Sequence, residues 1–227
     1  MLHNDNANHP PIQVLAVACT AFDGPDPHCA WLHGFALLTL YPTQDDVQLS
    51  GMVMTGERYV DDIRLTTALA AALDPDAVLA GIDLTGTISL LGCLPIEMAD
   101  QASSLALLRK LEAMLENYDP IDLTTDMEVH VALAVKVIEH RLLLRDKPDD
   151  QDQGLGLRMF ASRDNLNPNY LAAELADTVG AAALAIGDLC LGPAFSQPLL
   201  DAWRQWRRAL HARWQFDPAT IEPALIA

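Results

Sequence analysis

The stretch "VLAGIDLTGTISLLGCLP", Val78 to Pro95, decides how this chain is read. Its opening is a short apolar run with the length and composition of a strand buried on both faces. A loop follows, and the spacing then becomes that of a helix. A buried strand that passes through a loop into a helix belongs to a sheet whose strands are joined through helices.

Upstream of this unit the chain has another rhythm. "IQVLAVACTAF" from Ile12 is nearly continuously apolar, as a strand covered on both faces requires. "DGPDPH", Asp23 to His28, is turn chemistry. "WLHGFALLTLY" from Trp31 reads as a second strand, and "PTQDD" from Pro42 turns the chain into "VQLSGMVM". There Val47, Leu49 and Val53 share one face. Three strands with short links form an antiparallel meander. A helix is expected over about Glu57 to Leu73, stopped by Asp74-Pro75.

Downstream, Asp100 reads as the cap of a helix with Leu107, Leu108, Leu111 and Leu115 along one face. "PIDL" from Pro120 is a brief strand. Thr125 and Glu128 have capping-box spacing, opening a helix striped by Val131, Val135, Ile138 and Leu142. "DKPDDQDQGLG" from Asp146 is an acidic, glycine-bearing insert. Asn167 caps and Pro168 starts a long helix, striped by Leu171, Leu175, Val179, Ala182, Ile186 and Leu189 and stopped by Gly192-Pro193. A last helix is expected from about Gln197 to Trp214. The order predicts an α/β fold: a mixed sheet with helices on its faces. Three segments follow: a disordered stretch over 1–11, an α/β domain over 12–192, and a C-terminal helix and tail over 193–227.

The charge balance, 31 Asp and Glu against 14 Lys and Arg, gives −17. That disfavours a nucleic-acid backbone or an anionic membrane as partner, unless a local basic patch intervenes. Cys19, Cys29, Cys93 and Cys190 are widely spaced without C-x-x-C, so reduced thiols are expected rather than a zinc or disulfide framework. The polar start lacks a signal-peptide pattern, and no apolar run suits a membrane span; a cytoplasmic, bacterial protein is the expectation.

Motifs that carry chemistry are mostly missing from the sequence. There is no G-x-x-x-x-G-K-[ST], G-x-G-x-x-G after the first strand, G-x-S-x-G or H-E-x-x-H. Asp23, Asp26, His28 and Cys29 are dense in potential ligands, but Asp-Gly and Asp-Pro are equally ordinary turn builders. Glu128, His130, Glu139 and His140 lack the one-turn spacing of a ligand pair, and His33 and His211 read as packed or surface side chains.

The one basic feature is "LLDAWRQWRRALHARWQF", which holds four of the 14 Lys and Arg and three of the four Trp. Leu199, Trp203, Trp206, Leu210 and Trp214 recur at helical spacing, while Arg204, Arg207 and Arg208 project elsewhere. A Trp stripe docked on the domain with a solvated basic back is one reading. The other is a contact surface built from Trp203, Arg204, Trp206, Arg207, Arg208 and Trp214. It would take a second copy, an acidic protein, or a single nucleic-acid strand stacked on tryptophan.

The element order and three local passages resemble the four-acid (DEDD) 3′–5′ exonucleases of the ribonuclease H-like superfamily. The resemblance runs from Ile12 to Leu191. It implies a ribonuclease H-like mixed sheet: an antiparallel meander, then parallel strands, with helices on both faces. In that family the first strand ends in D-x-E, a later strand leads into a loop and helix bearing Asp, and a late helix carries H-x-x-x-x-D or a tyrosine variant. These acids hold two metal ions that activate water and stabilise the leaving oxygen. Carried over, "VLAVACTAFDG" puts Ala18 and Thr20 at D-x-E. "LAGIDLTGTISLL" puts Thr87 at the second acid, and "LAAELADTVGAAAL" puts Ala172 at the histidine and Asp177 at the last acid.

Only Asp177 matches. It lies off its helix's apolar stripe, where an ordinary solvated carboxylate is expected. One carboxylate does not hold two divalent ions. The resemblance therefore implies a non-catalytic, exonuclease-like binding or assembly module without a cofactor. The alternatives are a metal-dependent 3′–5′ exonuclease with relocated ligands Asp23, Asp83 and Asp177 binding magnesium or manganese, and a structural protein that oligomerises through its last helix.

Overall fold

The computed structural model describes residues 9–21, 30–43, 46–56, 62–92, 101–123 and 168–214. Asp23 to Cys29, the expected cap at Asp100, the Val131–Leu142 stripe with its capping box, the insert from Asp146 and residues 1–8 lie outside these.

Strand β1 (Ile12–Ala21) is the centre of the sheet. Strict alternation sends Ile12, Val14, Ala16 and Ala18 into one apolar cluster and Leu15, Val17 and Cys19 into another. It pairs antiparallel with β2 (Ala30–Pro42), from Ile12 opposite Leu40 to Ala21 opposite Ala30, with a bulge after Ala18. β2 pairs antiparallel with β3 (Val47–Thr55), so the meander is present. On its other side β1 pairs parallel with β4 (Val78–Gly81), Ile12 opposite Val78. β4 in turn pairs parallel with the short β5 (Ile121–Asp122), Ala80 opposite Ile121. The order β3-β2-β1-β4-β5 makes a five-stranded mixed sheet rather than a simple meander: the chain leaves β3 at one edge and crosses over to add β4 beyond β1.

Helices cover both faces. α1 (Asp62–Ala72), α2 (Leu84–Gly92) and α3 (Gln101–Asn117) contribute Leu65, Leu69, Leu84, Leu91, Leu107 and Leu111 to the cluster beneath Leu15 and Val17. On α3 the buried row is Ser104, Leu107, Leu111 and Met114, while Leu115 is exposed. The expected stripe through Leu108 and Leu115 is thus rotated: α3 packs on α1 through a face one position away, and Met114 fills the place assigned to Leu115.

The opposite face is covered by α4 (Pro168–Ile186) and α5 (Ser196–Trp214). From Val179 to Ile186 every residue of α4 is buried, so this Ala-rich helix runs through the interior. Its stripe ends earlier than expected. Beyond Ile186 the chain widens into a π turn, Gly187–Leu191, closed by Gly192 N–H donating to Gly187 O at 2.9 Å, and Leu189 is left exposed. No helix among the described residues is long and apolar enough to cross a membrane.

The one polar side chain on β1 facing α1 is Gln13, which is buried. Its Nε2 donates to Ala72 O at 3.0 Å and to Thr39 Oγ1 at 3.2 Å, and its Oε1 accepts from Asp74 N–H at 2.9 Å. Lys110 Nζ donates to the next carbonyl, Leu73 O, at 2.6 Å. The C-terminus of α1 therefore meets donors from β1 and α3, which satisfy carbonyls that the helix itself leaves unpaired. Gln13→Leu keeps the volume and strands those partners. Urea unfolding is expected to show a loss of about 2–3 kcal/mol, well beyond the ~1 kcal/mol of a single hydrogen bond.

Candidate functional site

The crossover puts the C-terminal ends of β1, β4 and β5 along one edge of the sheet, the usual place for ligands in open α/β sheets. Ala18 is buried there, and Thr20 pairs through its backbone with Trp31. Thr87 is buried on α2, and its N–H donates to Asp83 O at 2.8 Å. Ala172 is fully buried on α4.

Asp83, a relocated ligand in the nuclease alternative, is the N-cap of α2. Its Oδ1 accepts from Gly86 N–H at 3.2 Å, and its φ of 50° is a left-handed conformation that Asp tolerates better than most residues. Asp122 at the end of β5 serves the same helix end. Its Oδ2 accepts from both Thr85 N–H and Thr85 Oγ1 at 3.0 Å. Sequence reading missed this role, although the acid closing the "PIDL" strand beside a crossover was its available signal. Both carboxylates face the positive end of the α2 dipole and are held by protein donors. Asp23 lies outside the described residues.

Asp177 lies on α4. It is 6 % exposed, so the solvated carboxylate expected from the helix pattern is corrected. α5 returns antiparallel along α4, and Arg207 donates to Asp177 from two nitrogens: Nε to Oδ1 at 2.8 Å and Nη2 to Oδ2 at 3.3 Å. Arg207 likewise leaves the solvated basic back assigned to it. Its side chain is one-third exposed, and its Cζ lies 5.6 Å from the centroid of the Trp203 ring. Periodicity missed this because it counts apolar residues, and a charge buried against an opposite charge carries no apolar signal. Among the described residues no three His, Cys, Asp or Glu side chains gather as ligands. The described donors do not fit a two-ion centre: two acids cap a helix and the third holds an arginine.

What these residues do build is the α4–α5 hairpin. Trp203 is buried on Gly180, where a Cβ would stand 1.7 Å from the indole Nε1. Glycine in mid-helix costs about 1 kcal/mol against alanine, and here it leaves room for a ring. Trp206 is buried over Gly51 of β3 and donates Nε1–H to Gly51 O at 3.1 Å. Leu199 packs at Gly187, and the Ser196 hydroxyl donates to Asp188 where α5 begins. Each indole buries ~150–250 Å², or roughly 4–6 kcal/mol of apolar transfer as an upper bound. Ring burial therefore dominates the docking, and the ion pair sets the register.

The remaining expected contact residues divide. Arg204, 42 % exposed, lies 3.5 Å from the exposed Asp201, and Arg208 Nε donates to Arg204 O at 3.3 Å on the solvent side. Trp214 ends α5, and its side chain lies outside the described residues.

At the bulge in β2, His33 O accepts from Gly56 N–H at 2.9 Å, and the half-buried imidazole is pushed below its ordinary 6.5 by loss of solvent. Because the folded chain binds this proton less readily, the His33 contribution is fully present above about pH 6.5. It is lost as pH falls from there towards the lower folded value. Urea midpoints taken from about pH 8 to about pH 5 are expected to fall more steeply for the native chain than for His33→Gln. Arg207→Ala leaves Asp177 charged and buried without its partner and is expected to cost about 2–3 kcal/mol, less than a wholly buried pair because Arg207 is partly solvated. The double variant Asp177→Leu/Arg207→Met is expected to recover most of that loss in the same urea titration.

No family model matches the chain, and no curated protein or solved structure matches it either. The functional reading rests on the chain's own groups.

Proposed function

We propose that this chain is a non-catalytic relative of the ribonuclease H-like exonucleases and acts as a binding or assembly module. One observation carries the reading: Asp177, the single acid at a family position, has both carboxylate oxygens engaged by Arg207 in the α4–α5 hairpin. An oxygen held by a guanidinium is a poor ligand for a hydrated dication, because the ion must displace the arginine as well as its own water. The meander followed by parallel strands, with helices on both faces, is the arrangement the resemblance implies and supports the fold half of the reading.

The contact surface in this reading is the solvent side of α5. Arg204 and Arg208 stand there against a chain of net charge −17, which favours an acidic protein surface or a second copy over nucleic acid. The nuclease alternative, with magnesium or manganese on Asp23, Asp83 and Asp177, requires Asp83 to leave the end of α2 and Asp177 to leave Arg207.

Digestion of end-labelled single- and double-stranded DNA and RNA with either metal separates the two. No shortening is expected. Metal-dependent shortening that vanishes in Asp177→Ala, together with thermal stabilisation near 2.7 kcal/mol at a hundredfold excess of manganese over its dissociation constant, would overturn the non-catalytic reading.

A further inference from the structure

β3 is an outer strand of the sheet, and its nine residues, VQLSGMVMT, include no charge and no proline. Edge strands ordinarily carry such blocks, because bare ladder groups pair with any strand that arrives. Among the described residues no strand pairs with the outer side of β3. Two side chains reach its carbonyls instead. Trp206 Nε1 donates to Gly51 O at 3.1 Å, and Arg64 Nη2 donates to Thr55 O at 3.3 Å. Gly56 N–H, just past the strand, donates to His33 O on β2, so even positions turn towards β2 and odd positions turn outwards. Gly51 and Thr55 are both odd, and their carbonyls belong to the outer edge, which no strand among the described residues covers.

We propose that Trp206 is an edge guard: its indole N–H holds the outward carbonyl of Gly51, and when that bond is withdrawn the edge pairs with β3 of a second copy. The occupant follows from charge and symmetry. Two copies at −17 each repel over most of their surfaces, yet β3 itself carries no charge; the acid beside it, Asp46, folds its Oδ1 onto Val47 N–H at the start of the strand, away from Gly51. Ala202 and Ala209, one turn to either side of Trp206 on α5, add none. Arg204 and Arg208 sit two residues from Trp206 in each direction, about 200° round the helix, and face away from the strand. Antiparallel pairing of a strand with its own copy also closes about a two-fold axis and leaves no further open β3 edge.

Trp206→Phe keeps a ring over Gly51 and removes the N–H. Molar mass by sedimentation equilibrium is expected to rise about twofold over the native chain, and adding Gln48→Lys and Ser50→Lys to β3 is expected to return it to the native value. Trp206→Met serves as the second variant if the phenylalanine form loses the native circular dichroism. A folded variant with unchanged mass overturns the proposal. So does a mass increase that survives the two lysines, because the association then lies off the β3 edge.

Discussion

From Ile12 to Cys19, β1 has no face turned to water. Its side chains alternate between two apolar clusters, so the chain has to supply a helical layer on each side of the sheet before this strand is stable. The crossover from β3 at one edge to β4 beyond β1 follows from the same demand. α1 lies between those strands and covers the face beneath Leu15 and Val17. The one polar residue that β1 places on that face, Gln13, is tolerated because every group it presents meets a partner, at the end of α1 or on Thr39 of β2.

The opposite layer is built on a different principle. α4 is slender, with alanine and glycine on much of its surface, and it lies deep enough to need covering itself. α5 covers it with indoles set over glycines, one on α4 and one on β3. This joins the last helix to the core of the sheet rather than leaving it beside the domain. It also explains where Asp177 went: a carboxylate on the α5-facing side of α4 is buried by the docking, and Arg207 compensates its charge.

The acids at the sheet's ligand-favoured edge have a comparable fate. Asp83 and Asp122 sit where chemistry is usually placed in such folds, and both hold the N-terminus of α2. A helix that starts directly after a four-residue strand exposes its first N–H groups at that edge, and short carboxylates are the cheapest groups able to satisfy them. Structural need at this helix end thus accounts for both acids.

The strands, their two-sided burial, the meander and the strand–loop–helix unit at Val78 were legible in the sequence, because each is a local alternation of apolar residues that the backbone period turns into a face. The stripe of Leu199, Trp203, Trp206 and Leu210 on the last helix was legible for the same reason. The crossed strand order, the rotated face of α3, the early end of α4 at its π turn and the pairing of Asp177 with Arg207 were decided by the tertiary structure. Each depends on which surface arrives opposite: thirty residues separate the two charges, and hydrophobic period carries no information about a partner that far along the chain.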